Sequence, residues 1–148
     1  MPIDEIDKKI IEQLQADGRM QNTAIARRVG VSESTVRKRI DQLVKDQVIV
    51  VGAWPDPLKI GFHTYLIIQL SVDRTRIDEI SQKIADMPEV LFLGVCSGAT
   101  DLHAGALFRS VDHMYEFMVD RLGEIPGINK IETNTIMRVL KRDYQFKP

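Results

Sequence analysis

Cysteine is nearly absent from this 148-residue chain, because Cys96 is its only one. A single thiol excludes a disulfide framework within the chain and any zinc finger built on cysteine pairs. The three histidines, His63, His103 and His113, have no metal-ligand spacing with one another or with Cys96. We therefore expect no metal and no other cofactor, and we interpret Cys96, which lies in an apolar run, as an inert core residue.

Long apolar runs are also missing, since no stretch approaches the roughly 20 residues of a membrane span. The N-terminus, MPIDEIDKK, is acidic and unlike a signal peptide. The chain contains no G-x-S-x-G, H-E-x-x-H or phosphate-binding P-loop motif, so we do not expect an enzyme. Together these absences predict a cytoplasmic protein without a membrane partner.

A strong excess of one charge is missing too, because the formal net charge is -1. This near-neutral total excludes a wholly basic nucleic-acid coat, and the length suits one ordinary domain or two small ones. The charge is nevertheless uneven, since residues 19 to 45 hold seven basic and two acidic residues, a local balance of +5. The local field matters more than the total charge when a protein meets phosphates, so this stretch is a candidate DNA-binding region.

The same basic stretch contains two short amphipathic segments that meet at a glycine, Gly30. The apolar positions at helical spacing are Ile25, Ala26 and Val29 before the glycine, and Val36, Ile40, Leu43 and Val44 after it. Gly30 can take the positive φ that ends a first helix, and Ser32 stands where the N-cap of a second helix is expected. This pattern predicts a helix-turn-helix whose second helix is the recognition helix.

The side of the recognition helix opposite its apolar stripe is polar and basic. We expect Ser34, Thr35 and Lys38 to reach base edges, because hydroxyls accept several bases and lysine can donate to guanine. The arginines beside them are better placed for phosphates. The full predicted set is Arg27, Arg28, Ser32, Ser34, Thr35, Arg37, Lys38 and Arg39. The alternative interpretation is an exposed helix with ordinary solvated charges.

The segments on either side of the helix-turn-helix are predicted as follows. A helix from Asp4 to Gln15 is capped by Asp4, and a strand at 48–51 forms a small wing. The prolines of Pro55-Asp56-Pro57 stiffen an interdomain hinge. We expect a DNA-binding domain over residues 1–54 and a hinge over 55–61. The isoleucines expected to help pair two protomers are Ile3, Ile6, Ile10 and Ile11.

Beyond the hinge, the periodicity of apolar residues predicts a new domain over residues 62–148. Strands are expected at 63–72, 90–96, 102–108 and 129–140, with helices at 77–85 and 112–122. The order β-α-β-β-α-β is that of a ferredoxin-like sandwich. The predicted class is therefore α+β, with a winged helix-turn-helix domain followed by a ferredoxin-like βαββαβ domain.

Five features occur in a specific order: an IDEID helix, the IARRVGVSESTVRKRIDQL segment, the VIVVGAW strand, the PDPLKIG hinge and the βαββαβ pattern. In this combination the chain resembles the Lrp/AsnC, or feast/famine, transcription regulators over nearly its whole length. The resemblance implies homodimers that assemble further, often into octamers of four dimers. It also implies a C-terminal domain that binds small effectors, typically amino acids, between dimers.

The resemblance further implies that a Gly-x-x-Asp turn and the last strand form the effector site. The matching residues are Gly98, Ala99, Thr100, Asp101 and Leu102 in the turn, and Thr133, Asn134 and Thr135 in the strand. Asp101 would hold an α-ammonium group and the turn amides an α-carboxylate. Two departures from the family pattern stand out: Gln47 replaces the usual glycine after the recognition helix, and Ala99-Thr100 replaces larger residues.

The main prediction is a sequence-specific regulator whose partners are double-stranded DNA, a small effector and copies of itself. One alternative is an architectural DNA-binding protein that ignores effectors. Another is a sirohaem-decarboxylase-like enzyme on the same fold, with His63 or His103 facing a porphyrin. A third is an assembly domain whose helix-turn-helix serves only dimer contacts.

Overall fold

The computed structural model describes residues 3–141, and the chain divides after Trp54 into two compact units. The first unit is helical, with α1 at Glu5–Ala16, α2 at Asn22–Val29 and α3 at Glu33–Lys45. The second runs from Pro55 to Leu140 and contains a β-sheet with helices. No helix in residues 3–141 is long and apolar enough to cross a membrane.

The first helix begins with a complete capping box. The carboxylate of Asp4 accepts hydrogen bonds from the amides of Ile6 and Asp7, both at 2.9 Å, and Asp7 accepts one from the Asp4 amide at 3.0 Å. These bonds satisfy amides that a helix start leaves without partners. The predicted cap at Asp4 is confirmed.

The helix-turn-helix follows the predicted pattern closely. Gly30 ends α2 at φ 82°, and the hydroxyl of Ser32 caps α3 by accepting from the Thr35 amide at 3.1 Å. Ile10, Ile25, Ala26 and Val36 form the core of the three helices. Val44, which was expected in the buried stripe, is 44% exposed, because it lies about 100° around the helix axis from the fully buried Leu43.

The expected wing at residues 48–51 is wrong, because the structure shows no strand between Lys45 and Thr64. Val50 is 81% exposed and Val51 is 55% exposed. A β-branched run forms a strand only when a second backbone pairs with it, and within the described part of one chain none does. The β-propensity of residues 48–51 alone therefore predicted a strand that the structure does not contain.

The second unit is a four-stranded antiparallel sheet in the order β2-β3-β1-β4. Its strands are β1 at Thr64–Val72, β2 at Val90–Val95, β3 at Leu102–Phe108 and β4 at Ile128–Thr135. Helix α4 spans Ile77–Ala85, and α5 spans Val111–Glu116 and continues as a π-helix over Phe117–Leu122. This order and connectivity confirm the predicted βαββαβ fold.

One face of this sheet holds the core. Leu66, Ile68 and Leu70 of β1 pack there against Ile80 and Ile84 of α4, and against residues of the π-helix. The last strand ends at Thr135, five residues before the predicted end, because its pairing with β1 stops at Leu66. Residues 142–148, which the predicted second domain included, lie outside the described residues.

The single-chain structure also changes the interpretation of the N-terminal isoleucines. Ile10 is fully buried in the core of the helical unit, whereas Ile11 is 7% exposed and lines a cavity together with Val48 and Trp54. Only Ile3 and Ile6 keep partial exposure. Ile10 is therefore unavailable for pairing two protomers, contrary to prediction, whereas a pairing role for Ile3, Ile6 and Ile11 stays a prediction.

Candidate nucleic-acid interface and effector turn

The outer side of α3 is a polar surface built from side chains at helical spacing. Ser34, Lys38, Asp41 and Lys45 border a shallow groove of ≈ 540 Å³ along the helix. Ser34 and Lys38 are exposed, while Thr35 is half-buried one residue before the core residue Val36. The structure thus brings Ser34, Thr35 and Lys38 together near the N-terminal half of α3, where recognition helices contact bases.

Hydroxyl groups form a small network at the start of α3. The Ser32 hydroxyl lies 2.9 Å from that of Ser34 and 2.7 Å from that of Thr35. Because Ser32 also accepts from the Thr35 amide, its first task is to hold the helix start. Ser34 is the exposed hydroxyl of the network that remains able to turn toward a base.

The basic residues on and beside this surface differ in whether their side chains contact a partner within the protein. Among the described residues Lys38 has no ion-pair partner, whereas Arg37 contacts Glu33 at 3.1 Å in an exposed pair. An exposed pair of this kind contributes about 0.5 kcal/mol, so a phosphate can replace it at small cost. On α2, Arg27 is exposed and Arg28 donates to Gln13 at 2.9 Å.

Arg39 does not join this surface. Its guanidinium donates to Asp4 at 2.6 Å and to Asp7 at 3.1 Å, and Asp7 is only 1% exposed. Hydrogen bonds from the Asp7 amide and from Arg39 hold the pKa of Asp4 below its usual value. We therefore assign Arg39 to the packing of α3 on α1 rather than to phosphate contact.

The predicted effector turn lies between β2 and β3, with Gly98 and Ala99 exposed at its tip. The side chain of Asp101 is only 13% exposed and is engaged on both oxygens. One oxygen accepts from the Val72 amide at 3.0 Å and the other from Arg74 Nε at 2.8 Å. These bonds, the amide first and Arg74 second, lower the pKa of Asp101.

Other residues of the turn have different environments. Thr100 hydrogen-bonds His103 at 2.8 Å through their Oγ1 and Nε2 atoms. Leu102 is fully buried in the sheet core, so its side chain cannot contact an effector as predicted. Its apolar side chain faces the helices because Leu102 pairs with Leu70 on the covered face of the sheet.

One chain does not bring the turn and the last strand together. Leu102, directly after the turn, pairs with Leu70 of β1, whereas Thr133, Asn134 and Thr135 lie on β4, across β1 from β3. Thr133 and Thr135 pair with Ile68 and Leu66, farther along β1 from the turn. Within one chain, β1 therefore separates the two predicted groups.

The structure adds residues that the sequence pattern missed. Arg74 donates a hydrogen bond to Asp101 from 27 residues away in the sequence, and no sequence motif predicted this contact. Elsewhere, Glu89 is a nearly buried carboxylate held by His113 at 3.1 Å and Arg121 at 2.6 Å. Burial raises its pKa, but its own amide and these two partners outweigh that effect and leave the pKa lowered.

No group of histidine, cysteine and acidic side chains in residues 3–141 is arranged to hold a metal ion. His113 belongs to the Glu89 cluster and His103 to the Thr100 pair. Cys96 is half-buried rather than a core residue, because it lies at the end of the edge strand β2, where the turn begins. Its thiol lies 3.7 Å from the carbonyl of Gly94.

Comparison with known proteins identifies both units. Residues 3–44 match the AsnC-type helix-turn-helix domain, and residues 65–146 match the Lrp/AsnC ligand binding domain. An uncharacterised HTH-type transcriptional regulator of Pyrococcus furiosus is 37% identical over 96% of this chain and 97% of its own length. The HTH-type transcriptional regulator FL11 of Pyrococcus horikoshii is 30% identical over 95% of this chain and 93% of its own.

Solved structures show the same fold. A transcriptional regulator of Neisseria meningitidis, determined in complex with L-Met, superposes with a TM-score of 0.85 at 23% identity, over 98% of this chain and 96% of that one. AsnC of E. coli superposes with a TM-score of 0.84 at 22% identity over 100% of both chains. With two family domains matched and a relative 37% identical over 96% of the chain, this chain belongs to the Lrp/AsnC family of transcriptional regulators.

Proposed function

We propose that this regulator binds specific double-stranded DNA sites through α3. The observation that carries the proposal is the exposed surface of Ser34, Arg37 and Lys38, on a helix capped by Ser32 and preceded by a tight glycine turn. Ser34, Thr35 and Lys38 contact base edges, while Arg27, Arg28 and Arg37 contact phosphates. Because hydroxyls and lysine discriminate weakly among bases, one copy gives modest specificity.

We further propose that the second unit binds a small effector, most simply an amino acid. The family match to a ligand-binding domain supports this, as does the Neisseria relative of the same fold, determined with L-Met. The effector lies at the Gly98–Asp101 turn of one copy and near Thr133–Thr135 of another. The separation of the two groups within one chain supports this sharing.

Dimerisation through the uncovered face of the sheet is the third part of the proposal. This face carries Tyr65, Ile67, Phe92 and Leu107, and Phe92 is 61% exposed. The Tyr65 ring lies over Gly105, where an added Cβ would come within 2.8 Å of the tyrosine oxygen. A second copy covers this apolar face, and dimers assemble further into even-numbered oligomers such as octamers.

Assembly supplies the coupling between effector and DNA. A dimer presents two α3 helices to half-sites about one DNA turn apart. An effector bound between copies changes DNA affinity only if it favours one assembly over another. The regulator acts on DNA in the cytoplasm and carries out no catalysis.

Fluorescence anisotropy with DNA from upstream of the protein's own gene tests the DNA-binding part. We expect salt-dependent binding that is tighter than to a random duplex of equal length. Lys38→Ala should weaken binding to the specific site by about 5- to 150-fold, since such a base contact contributes about 1–3 kcal/mol. Equal affinity for both duplexes would show an architectural DNA-binding protein instead.

A thermal-shift screen of the twenty L-amino acids tests the effector part. At least one should raise the melting temperature and change the oligomer distribution seen by analytical ultracentrifugation. Stabilisation by none of them would refute an amino-acid effector. The DNA-binding part would stand or fall separately on the anisotropy result.

A further inference from the structure

The charge at the effector turn is arranged differently from the pattern expected of an ammonium site. The carboxylate of Asp101 is 13% exposed and has one hydrogen-bond donor on each oxygen. The side chain of Arg74, its ion-pair partner, is 80% exposed. The exposed charge beside this turn is therefore the cation of Arg74, which follows β1 and pairs with Asp101.

The geometry of Arg74 leaves most of its donors available. Among the described residues, the only hydrogen bond that Arg74 donates is from Nε to Asp101, at 2.8 Å. A guanidinium has five N–H donors, so the two terminal nitrogens keep four. A pair of N–H groups in one plane matches the two oxygens of a carboxylate.

The backbone of the turn supplies a second set of donors beside this cation. Asp101 donates its amide to Leu70 at 2.8 Å, and the Cys96 amide donates to the Asp101 carbonyl at 2.8 Å. Within the described part of the chain, the amides from Ser97 to Thr100 donate no hydrogen bond. A Cβ built on Gly98 would meet no atom within 4 Å, so there is space above the turn.

From these observations we propose that Arg74 binds the carboxylate of the effector and that Asp101 positions Arg74 without contacting the ligand. The inference rests on the proposed effector function of this turn. It assigns the ligand class as small carboxylates, for which the α-ammonium group contributes little. A 2-oxo acid with the same side chain as the effector amino acid is then a ligand as well.

The test uses the full-length protein and the L-amino acid that stabilises it most in the thermal-shift screen. Isothermal titration calorimetry compares that amino acid with its carboxamide, which lacks the carboxylate, and with its 2-oxo acid, which lacks the ammonium. The same titrations are made with Arg74→Ala and with Arg76→Ala. Arg76 is a matched control, because it lies two residues away and pairs with Glu79 on α4.

We expect Arg74→Ala to weaken binding of the amino acid by at least about ten-fold, as for loss of a charge-assisted hydrogen-bonded pair. Arg74→Lys should restore part of the affinity, since lysine keeps the charge but loses the planar pair of donors. Arg76→Ala should bind like the wild type. The carboxamide should lose binding, and the 2-oxo acid should retain most of it.

Three results would overturn the assignment while leaving the effector function intact. The first is wild-type affinity in Arg74→Ala, and the second is full affinity for the carboxamide. The third is loss of binding with the 2-oxo acid, which would show that the site recognises the α-ammonium group. If no amino acid binds the wild-type protein at all, the effector function itself fails, and this inference fails with it.

Discussion

The recognition helix and the effector turn are built from contacts of different range. On α3, Ser32 bonds Thr35 and Arg37 pairs with Glu33, so the partners are three and four residues apart. At the turn, Asp101 is held by Val72 and Arg74, which lie 29 and 27 residues away. The first kind of site is visible as spacing in a sequence, and the second is not.

The same contrast occurs inside the helical unit, between two neighbouring arginines of α3. Arg37 pairs with a residue on its own helix and stays exposed. Arg39 reaches back 35 residues to Asp4 and 32 to the buried Asp7. Helical spacing treats these arginines as equivalent flanks of the recognition surface, whereas the fold gives them different tasks.

The largest expected effect concerns Leu102, which belongs to the predicted effector turn by its sequence position but packs in the core of the sheet. Leu102→Ala should destabilise the protein by about 3 kcal/mol, because it leaves a cavity in the sheet core. Urea denaturation followed by circular dichroism measures this change. Ala99→Ser at the exposed tip should stay within about 0.5 kcal/mol. Similar values for both variants would mean that Leu102 is not a core residue.

A smaller effect tests the two arginines. Arg39→Ala should cost about 2 kcal/mol of unfolding free energy, because Asp7 keeps a buried charge without its cation. Arg37→Ala should cost at most about 0.5 kcal/mol. Arg37→Ala should instead weaken the salt dependence of DNA binding, so that the magnitude of the slope of log affinity against log salt falls by about 1.

Denaturation and DNA-binding anisotropy titrations on both variants test whether Arg39 acts in stability and Arg37 in DNA binding. Arg39→Ala should leave the salt slope of the folded protein unchanged. A reduced slope in Arg39→Ala, with unaltered stability, would restore Arg39 to the DNA-binding surface.

The end of α3 provides a purely local test. Gln47 has φ 56°, and the amides of Gln47 and Val48 close the helix by donating to Val44 and Leu43. This left-handed conformation costs a non-glycine residue about 1 kcal/mol. Gln47→Gly should therefore stabilise the protein by about 0.5–1 kcal/mol, a rise in melting temperature of a few degrees.

The control is Asp46→Gly, one residue earlier, where φ is -81° and glycine offers no relief. It should lower the melting temperature slightly, in calorimetric scans of the same protein concentration. Equal shifts in the two variants would contradict a local backbone cost at Gln47.

The smallest effect is the acid response of the turn. The pKa of Asp101 is lowered by the Val72 amide and by Arg74, so its contribution to stability is complete above the unfolded value, about 3.9. That contribution is lost as pH falls through the lower folded pKa. The melting temperature of Asp101→Asn should lie below that of the wild type at pH 7, and the gap should narrow below about pH 4.

Scanning calorimetry between about pH 2 and pH 7 measures this gap. Glu79→Gln is a comparison on α4, because the pKa of Glu79 is lowered by Lys83 and Arg76 within the same helical segment. A gap for Asp101→Asn that widens toward low pH would contradict the ion pair with Arg74.

Much of the fold could be predicted because its signals are local. Asp4, Ser32 and Gly30 marked helix ends correctly, and the predicted bounds of α4 and β3 agree with the structure. The strand expected at 48–51 failed because β-branched residues need a partner strand, which local propensity cannot supply. The last strand ended early for the same reason, since its pairing with β1 ends at Leu66.

The sequence by itself determined the helix-turn-helix, the βαββαβ order and the polar surface of α3, because caps, turns and periodicity act over a few residues. Only the tertiary structure decided that Arg39 closes an ion pair with α1, that Leu102 is core, and that Asp101 faces Arg74. Those contacts join residues about 30 positions apart, and their pairing depends on strand register and helix packing. The physical reason is that a side chain's charge is known from its sequence, but its partner is set by the fold.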